Sequence, residues 1–260
     1  MDKDKIIGII PARMGATRFP GKPLAKIHGM TMIEHVYRRA LMYNRWDLLA
    51  LSTCDNEIKD FAESINIPVI MTSNSHVRAL DRVCEAVENS KIDINDNDIV
   101  LNVQGDEPMV RPSMIEATIQ PLIDDIEVGG TILGLPIIEE SQFYDPNILK
   151  IVHNLKNDIL YTSRSPVPYC KKFSSKIGVH RIYGLFGFRW HYLKKFTALH
   201  ESPLEINESC DSNRLYDNGL TQRIAKHSYI DSFSVDSPDD LKKVEKYILQ
   251  DDLYQQYKNN

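Results

Sequence analysis

Three cations recur within one short stretch of this 260-residue chain: Arg13, Arg18 and Lys22 are separated by five and four residues inside Ile9-Pro-Ala-Arg-Met-Gly-Ala-Thr-Arg-Phe-Pro-Gly-Lys-Pro-Leu24. Guanidinium groups offer forked donors and an ammonium offers a mobile point charge, the two devices that grip phosphate oxygens. Pro11, Pro20 and Pro23 stiffen the segment and so keep like charges together. Gly15 and Gly21 let the main chain approach an anion closely or take positive φ. The apolar run Ile6 to Ile10 before it reads as a buried strand, so the arrangement is a strand feeding a loop that binds a polyphosphate. It contains neither GxxxxGK[ST] nor GxGxxG, which removes the usual evidence for P-loop hydrolases and dinucleotide-binding dehydrogenases.

Two aspartates could supply the counter-chemistry. Strand Ile99 to Val103 runs straight into Gln104-Gly-Asp-Glu-Pro108 and sets Asp106 just past a strand end. A carboxylate there can hold Mg²⁺ together with phosphate oxygens, although an aspartate after a strand also serves as a turn former or cap. In Ser232-Phe-Ser-Val-Asp-Ser-Pro-Asp-Asp-Leu241, Asp236 ends a short strand and Ser237-Pro238 opens a helix. Asp239 and Asp240 in its first turn read as partners of the helix dipole.

The elements that must position these groups alternate. Strands over Lys5 to Ile10, Leu48 to Thr53, Val69 to Met71 and Ile99 to Val103 are interleaved with helices over Thr31 to Tyr43, Asn56 to Ser64 and Ala79 to Asn89. This is the pattern of an α/β fold with a mainly parallel sheet flanked by helices. Ligands of such sheets sit at the carboxyl ends of the strands, where the cationic loop falls. The second half has strands over Gly129 to Pro136, Lys150 to His153 and Tyr183 to Phe188 and a terminal helix from Pro238 to Leu249. The last residues, Gln255 to Asn260, read as a frayed tail, and the aromatic segment Phe186 to Phe196 reads equally as core or as contact surface.

Composition narrows the class. The net charge is −5 and the pI is near 5.9; no basic cluster tracks a nucleic-acid backbone, so no nucleic-acid partner is expected. With no apolar run of about 18 residues and no signal peptide in Met1-Asp-Lys-Asp-Lys5, no membrane association is expected and the protein reads as cytoplasmic. Cys54, Cys84, Cys170 and Cys210 lack CxxC spacing and read as reduced thiols.

The loop resembles the signature of the sugar-acid cytidylyltransferases, above all the 3-deoxy-manno-octulosonate (Kdo) cytidylyltransferase, or CMP-Kdo synthetase, family, which opens on a pattern similar to IIPARxxxTRxPGKPL. Asn102-Val-Gln-Gly-Asp-Glu-Pro108 resembles the family's second motif, and Val235-Asp-Ser-Pro-Asp-Asp-Leu241 its VDTPEDL. The match runs from about Ile6 to Glu245 with the motifs in family order. It implies a Rossmann-like nucleotide-diphospho-sugar transferase fold with a smaller mixed-sheet portion for acceptor binding and dimerisation. It also implies one nucleotidyltransferase domain over 1–260: a nucleotide-binding part to about residue 125, an acceptor-binding part over about 126–235 and a C-terminal helix over about 238–250.

By the resemblance, Arg13, Arg18 and Lys22 hold the triphosphate of CTP, with Pro11, Ala12 and Gly15 beside it. Asp106 and Asp236 hold Mg²⁺ and neither acts as a base; Gln104 lies near the sugar acid. Met71-Thr-Ser-Asn-Ser-His-Val-Arg-Ala-Leu-Asp-Arg82 matches a further nucleotide-side motif at His76, Asp81 and Arg82, and Arg78 adds a cation that the family lacks. His76 reads equally as a loop histidine bonded to local backbone. In Tyr161-Thr-Ser-Arg-Ser-Pro-Val-Pro168, Arg164 corresponds to the arginine that pairs with the acceptor carboxylate.

The acceptor side departs from the pattern. Ile182 and Phe186 stand where histidine and tyrosine contact the sugar acid, and Asp211-Ser212 replaces a Glu-Gln pair, while Arg214 is retained. Loss of hydrogen-bonding groups changes substrate choice more than chemistry. The expected activity is Mg²⁺-dependent transfer of CMP from CTP to an acidic acceptor with release of pyrophosphate, a step of lipopolysaccharide or surface-glycan assembly performed by a homodimer. Kdo, an amino-Kdo, a nonulosonic acid and a phosphonate stay open as acceptors, as does a nucleotide-binding protein without catalysis.

Overall fold

The computed structural model describes residues 4–15 and 18–258. Met1 to Lys3 of the segment read for a signal peptide, Ala16 and Thr17 of the phosphate loop, and Asn259 and Asn260 of the tail lie outside the described residues. In chain order the elements are β1 (Ile6–Pro11), a 3-10 turn (Lys22–Leu24), β2 (Lys26–Ile27), β3 (Met30–Thr31), α1 (Met32–Leu41), β4 (Leu48–Thr53), α2 (Asn56–Ser64), β5 (Val69–Met71), α3 (Ala79–Asn89), β6 (Ile99–Val103), α4 (Pro112–Asp124) and β7 (Gly130–Pro136). There follow α5 (Glu140–Tyr144), β8 (Lys150–His153), β9 (Ile159–Ser163), β10 (His180–Arg189), α6 (Trp190–Thr197), α7 (Pro203–Glu208), α8 (Asn213–Asp217), β11 (Arg223–Lys226), α9 (Pro238–Ile248) and α10 (Asp252–Tyr257).

The main sheet runs β5-β4-β1-β6-β10-β7-β11. Strands β5, β4, β1 and β6 are parallel, as are β7 and β11, and β10 runs antiparallel between β6 and β7. The chain builds outward from β1 to β4 and β5, then returns to lay β6 on the other side of β1. That reversal opens a crevice at the carboxyl ends of β1 and β6, where open α/β sheets bind ligands. The β8–β9 hairpin hooks antiparallel onto the start of β10 through His180 and Arg181, and β2–β3 form a separate small antiparallel sheet. The fold is α/β with a mainly parallel sheet between helices, as the alternation of elements implies.

Both faces of the sheet are covered, so its central strands are apolar throughout. On β1, Ile6 and Ile10 enter one core layer with Val36, Leu51, Leu101 and Met114, while Ile7 and Ile9 enter the opposite layer with Ala50, Val83, Val100 and Phe188. Phe186, Phe188, Trp190 and Phe196 are buried in this second layer, so the aromatic segment is core rather than contact surface. A third cluster packs Val235 and the C-terminal helices over β2 and α1, through Ile27, Met32, Val244, Ile248, Tyr254 and Tyr257.

The C-terminus corrects the sequence reading. Instead of fraying at Gln255, the chain forms α10, and Tyr257 is only 3% exposed. Its hydroxyl accepts from Arg39 Nε at 2.8 Å and meets His35 Nδ1 at 2.7 Å, and Arg39 Nη1 pairs with Asp251 at 3.0 Å. These are contacts between residues more than two hundred positions apart, which no local pattern announces. His35 Nε2 meets the Ile27 carbonyl at 2.9 Å, so a neutral imidazole satisfies both neighbours. Burial, with Arg39 adding repulsion, pushes its pKa down to about 4.

A His whose folded pKa is depressed gives stability that is complete above its unfolded value near 6.5 and is lost as pH falls from there towards 4. Acid unfolding should therefore begin below about pH 6.5, and His35→Gln should flatten that part of the stability–pH curve. Tyr257→Phe should cost about 1–2 kcal/mol in denaturant unfolding at neutral pH; no change would separate α10 from the rest of the fold.

Candidate active site

The cationic loop leaves β1 at the carboxyl edge of the sheet and folds back on itself. Ala12 N–H donates to Ser52 O at 2.9 Å and Gly21 N–H to Met14 O at 3.2 Å, while Met14 N–H donates to the Asp55 carboxylate at 2.8 Å. Gly21 takes φ +72°, the left-handed conformation that favours glycine, at the entrance to the 3-10 turn carrying Lys22. Gly15 has ordinary backbone and open space about it, so of the two glycines only Gly21 supplies a positive φ.

The turn after β6 lies against this loop. A Cβ on Gly105 would stand 2.6 Å from Pro11 O, so only glycine lets the Asp106 segment come this near β1. Glu107 then clamps three segments: its Oε1 accepts from Gly184 N–H at 3.0 Å on β10 and from Ser234 Oγ at 2.6 Å. Beside it, Val235 N–H donates to Asp106 O at 2.9 Å. The stretch before Asp236 forms no strand, contrary to the sequence reading, and rests on the β6 turn through these contacts. Asp236 is then fixed by the cap of α9, where the Asp240 carboxylate accepts from Asp236 N–H and Ser237 N–H at 3.1 and 2.9 Å. Asp240 thus closes a capping box at the head of α9, where the sequence placed it as a partner of the helix dipole, and Asp239 pairs with Lys242 on the surface.

The outcome is a tight knot of charge. Lys22 Nζ lies 2.8 Å from Asp106 Oδ2 and 3.7 Å from Asp236 Oδ1, and it donates to Val235 O at 2.8 Å. Arg18 Nη2 pairs with the same Asp236 oxygen at 3.0 Å. The two aspartates, from distant parts of the chain, therefore share one ammonium. Arg13 has no hydrogen-bond or ion-pair partner among the described residues and stands free on the same wall.

Two cavities meet at this knot. The first, about 370 Å³, is lined by Pro11, Ala12, Arg13, Arg18, Lys22, His76, Arg78 and Arg82 together with Gln104, Asp106, Asp211 and Asp236. Its five Lys and Arg side chains outnumber its three carboxylates, which suits a polyanion. The second, about 620 Å³, shares Arg18, Gln104, Asp106, Asp211 and Asp236 with the first and extends to Arg181, Ile182 and Phe186 on β10 and Ser234 beyond. There seven carboxylates face three cations. Ile182 and Phe186 both line this second cavity.

Other expected residues behave differently. Arg82 is 3% exposed and donates to Thr72 and to the carbonyl of Ser73, so it shapes the first cavity's wall. His76 pairs with the Glu85 side chain rather than local backbone. Asp81 and Arg214 line neither cavity: Arg214 forms a bidentate pair with buried Glu205 at 2.8 and 2.7 Å and meets Asp81 at 3.3 Å. Arg78 sits 3.4, 3.7 and 3.9 Å from Glu201, Glu205 and Asp211, so its extra charge is already balanced. Gly15 also lies outside both cavities. So does Arg164, whose guanidinium donates to the carbonyls of Glu208 and Pro146.

Sequence reasoning missed Glu107, Arg181 and Lys243. Glu107 stands inside the quoted Asn102–Pro108 motif and Arg181 immediately precedes Ile182, so the signal was present. Lys243 on α9 joins the second cavity only through tertiary packing. Burial, with Asp106 adding repulsion, raises the Glu107 carboxyl to about 7.

Asp106 and Asp236 have the chemistry of a Mg²⁺ pair: hard oxygen donors, partly open to solvent and already gathered around one cation. Among the described residues no group of three or more His, Cys, Asp or Glu could hold a metal. A cation here would complete its shell with water and substrate oxygens, which is the usual manner of Mg²⁺ at phosphates.

The family model described as Cytidylyltransferase matches residues 7–256. The chain belongs to the cytidylyltransferase family. It is 38% identical over 248 residues to the 3-deoxy-manno-octulosonate cytidylyltransferase of Thermodesulfovibrio yellowstonii, covering 92% of this chain and 96% of that one. It is 36% identical over 251 residues to that of Syntrophotalea carbinolica, covering 94% and 98%. A solved structure of CMP:2-keto-3-deoxy-manno-octonic acid synthetase complexed with CTP superposes with a TM-score of 0.84 at 33% identity, over 95% of this chain and 99% of the other. The resemblance read from the three motifs is borne out, and this cytidylyltransferase is a nucleotidyltransferase.

Asp211 sits where the two cavities join, and burial, reinforced by Glu205 and Asp81 and opposed by Arg78, raises its carboxyl to about 6. A raised carboxyl favours the fold most below its unfolded value near 4, and the benefit is lost as pH rises through about 6. Asp211→Asn should raise the unfolding free energy relative to the wild type at pH 8, by on the order of 2–3 kcal/mol, as read by denaturant unfolding, and should give little gain at pH 4.5. An equal change at both pH values would remove burial as the cause.

Proposed function

We propose that this cytidylyltransferase carries out Mg²⁺-dependent transfer of CMP from CTP to an acidic sugar such as Kdo or a close relative, releasing pyrophosphate. The observation that carries the proposal is the convergence of Asp106 and Asp236 on Lys22, beside a cavity richer in cations than in carboxylates. The first cavity takes the nucleotide, with Arg13, Arg18 and Lys22 on the triphosphate. The second takes the acceptor, so residues before about 125 chiefly carry nucleotide and those over about 126–235 chiefly carry acceptor, within one domain.

The acceptor hydroxyl forms a new bond to the α-phosphorus as the bond to pyrophosphate breaks. Such a displacement needs positioning and charge stabilisation more than covalent help. Gln104, shared by the two cavities, can orient the acceptor at their junction. Arg181, which lines the second cavity and donates one bond to Ser232 O at 2.7 Å, is offered to its carboxylate, while Arg164 lines neither cavity. Asp106 and Asp236 would hold Mg²⁺, whose chemistry is to neutralise phosphate charge. The acid-rich second cavity favours hydroxyls and an added amine over a second anion, so an amino sugar acid suits it better than a phosphonate. Unpaired Cys54, Cys84, Cys170 and Cys210 accord with a reducing, cytoplasmic setting. The exposed apolar Leu155, Leu160 and Tyr169 about the β8–β9 hairpin support assembly as a homodimer.

The test is pyrophosphate release from CTP and Mg²⁺ over a panel of Kdo, an amino-Kdo, a nonulosonic acid and a phosphonate. Turnover is expected with a sugar acid and none with the phosphonate. Silence across the panel, together with a melting temperature raised by CTP alone, would make the protein a nucleotide binder. Lys22→Ala should lower turnover roughly 10²-fold or more, the scale of losing one preorganised charge contact; an unchanged rate would take the loop out of the reaction.

A further inference from the structure

We infer that Lys22 is an internal counter-ion that closes the Asp106–Asp236 pair to divalent cations until nucleotide phosphate draws it away. This rests on the reading of those aspartates as the metal pair. The ammonium donates two hydrogen bonds, to Asp106 Oδ2 and to Val235 O at 2.8 Å each, and forms an ion pair with Asp236 Oδ1 at 3.7 Å. Its side chain is only 13% exposed. It therefore stands between the carboxylates, held on three sides, at the wall of the nucleotide cavity. A Mg²⁺ bonded to the same oxygens at about 2.0–2.1 Å needs that space, so ammonium and metal exclude one another.

The arrangement also answers an electrostatic need. Two carboxylates that share one ammonium repel one another, and Lys22, with Arg18 on Asp236, offsets that repulsion. A counter-charge must be present whenever the metal is absent. Lysine can serve because its four-carbon stem is flexible and its charge is compact. Arg13, without a partner among the described residues, is placed to meet incoming phosphate first. Movement of Lys22 onto the phosphates then exposes both carboxylates at the moment when phosphate oxygens arrive to complete the metal's shell. Metal and nucleotide should thus bind with positive, reciprocal coupling.

The test is Mn²⁺ binding, followed by the electron paramagnetic resonance of the free ion and by water-proton relaxation enhancement, which reports protein-bound ion even when CTP is present. Wild-type protein without nucleotide should bind Mn²⁺ weakly. Lys22→Met, and Lys22→Gln as a second neutral variant should the first fold poorly, should bind it about tenfold more tightly, as expected when one competing charge is removed. Lys22→Arg, which keeps the charge, should not gain. Adding Asp236→Asn to Lys22→Met should abolish the gain. Neutral variants that bind Mn²⁺ no better than wild type, while wild type with CTP gives clear enhancement, would overturn the counter-ion role and leave the metal pair standing. No enhancement from any form, with or without CTP, would overturn the metal pair and this inference with it.

Discussion

Two carboxylates from distant parts of the chain cannot lie side by side unless something holds them there and something balances their charge. Here the holding is done by backbone and by Glu107: Val235 N–H bonds Asp106 O, and the Glu107 carboxylate ties β10 and Ser234 to the β6 turn. The balancing is done by Lys22, with Arg18 also pairing Asp236. The rest of the architecture follows from this demand. The close approach at Gly105, the capping box that fixes Asp236 at the head of α9, and the apolar cluster that presses Val235 and α9 onto β2 and α1 all serve the same meeting point.

Around that point the molecule separates charge. Cations dominate the first cavity and carboxylates the second, so a polyphosphate is favoured in one compartment and a hydroxyl-rich group in the other. The residues common to both lie where the reacting atoms of two substrates would have to meet. Arg214, Glu205, Asp81 and Arg78 form a network behind the junction. Within it a buried charge is paired rather than offered to a ligand, as burial requires.

The legibility of the chain differs between its halves for a physical reason. Strand β4, helix α2, strand β5, helix α3 and strand β6 have the bounds that the periodicity implies, because each is long enough or apolar enough to carry its own pattern. Strand β9 is a single amphipathic turn of alternation, with Ile159 buried and Leu160 exposed, and α8 spans five residues. Such elements exist because neighbours cover them. Helix α10 is the plainest case, since its burial rests on His35 and Arg39 far away in sequence.

By itself the sequence determined the parallel α/β half and the loop of closely spaced cations Arg13, Arg18 and Lys22, because residue type and short-range spacing encode those directly, while Asp106 and Asp236 stood out through the motifs that resemble the family's. Only the tertiary structure decided which charges are free and which are spent: Arg78 and Arg214 are absorbed by carboxylates, Arg164 by carbonyls, and Lys22 by the aspartates themselves. The cause is that pairing between side chains depends on distances through space, which are set by how β10, the Ser234 segment and α9 close over β1 and β6 rather than by any one stretch of chain.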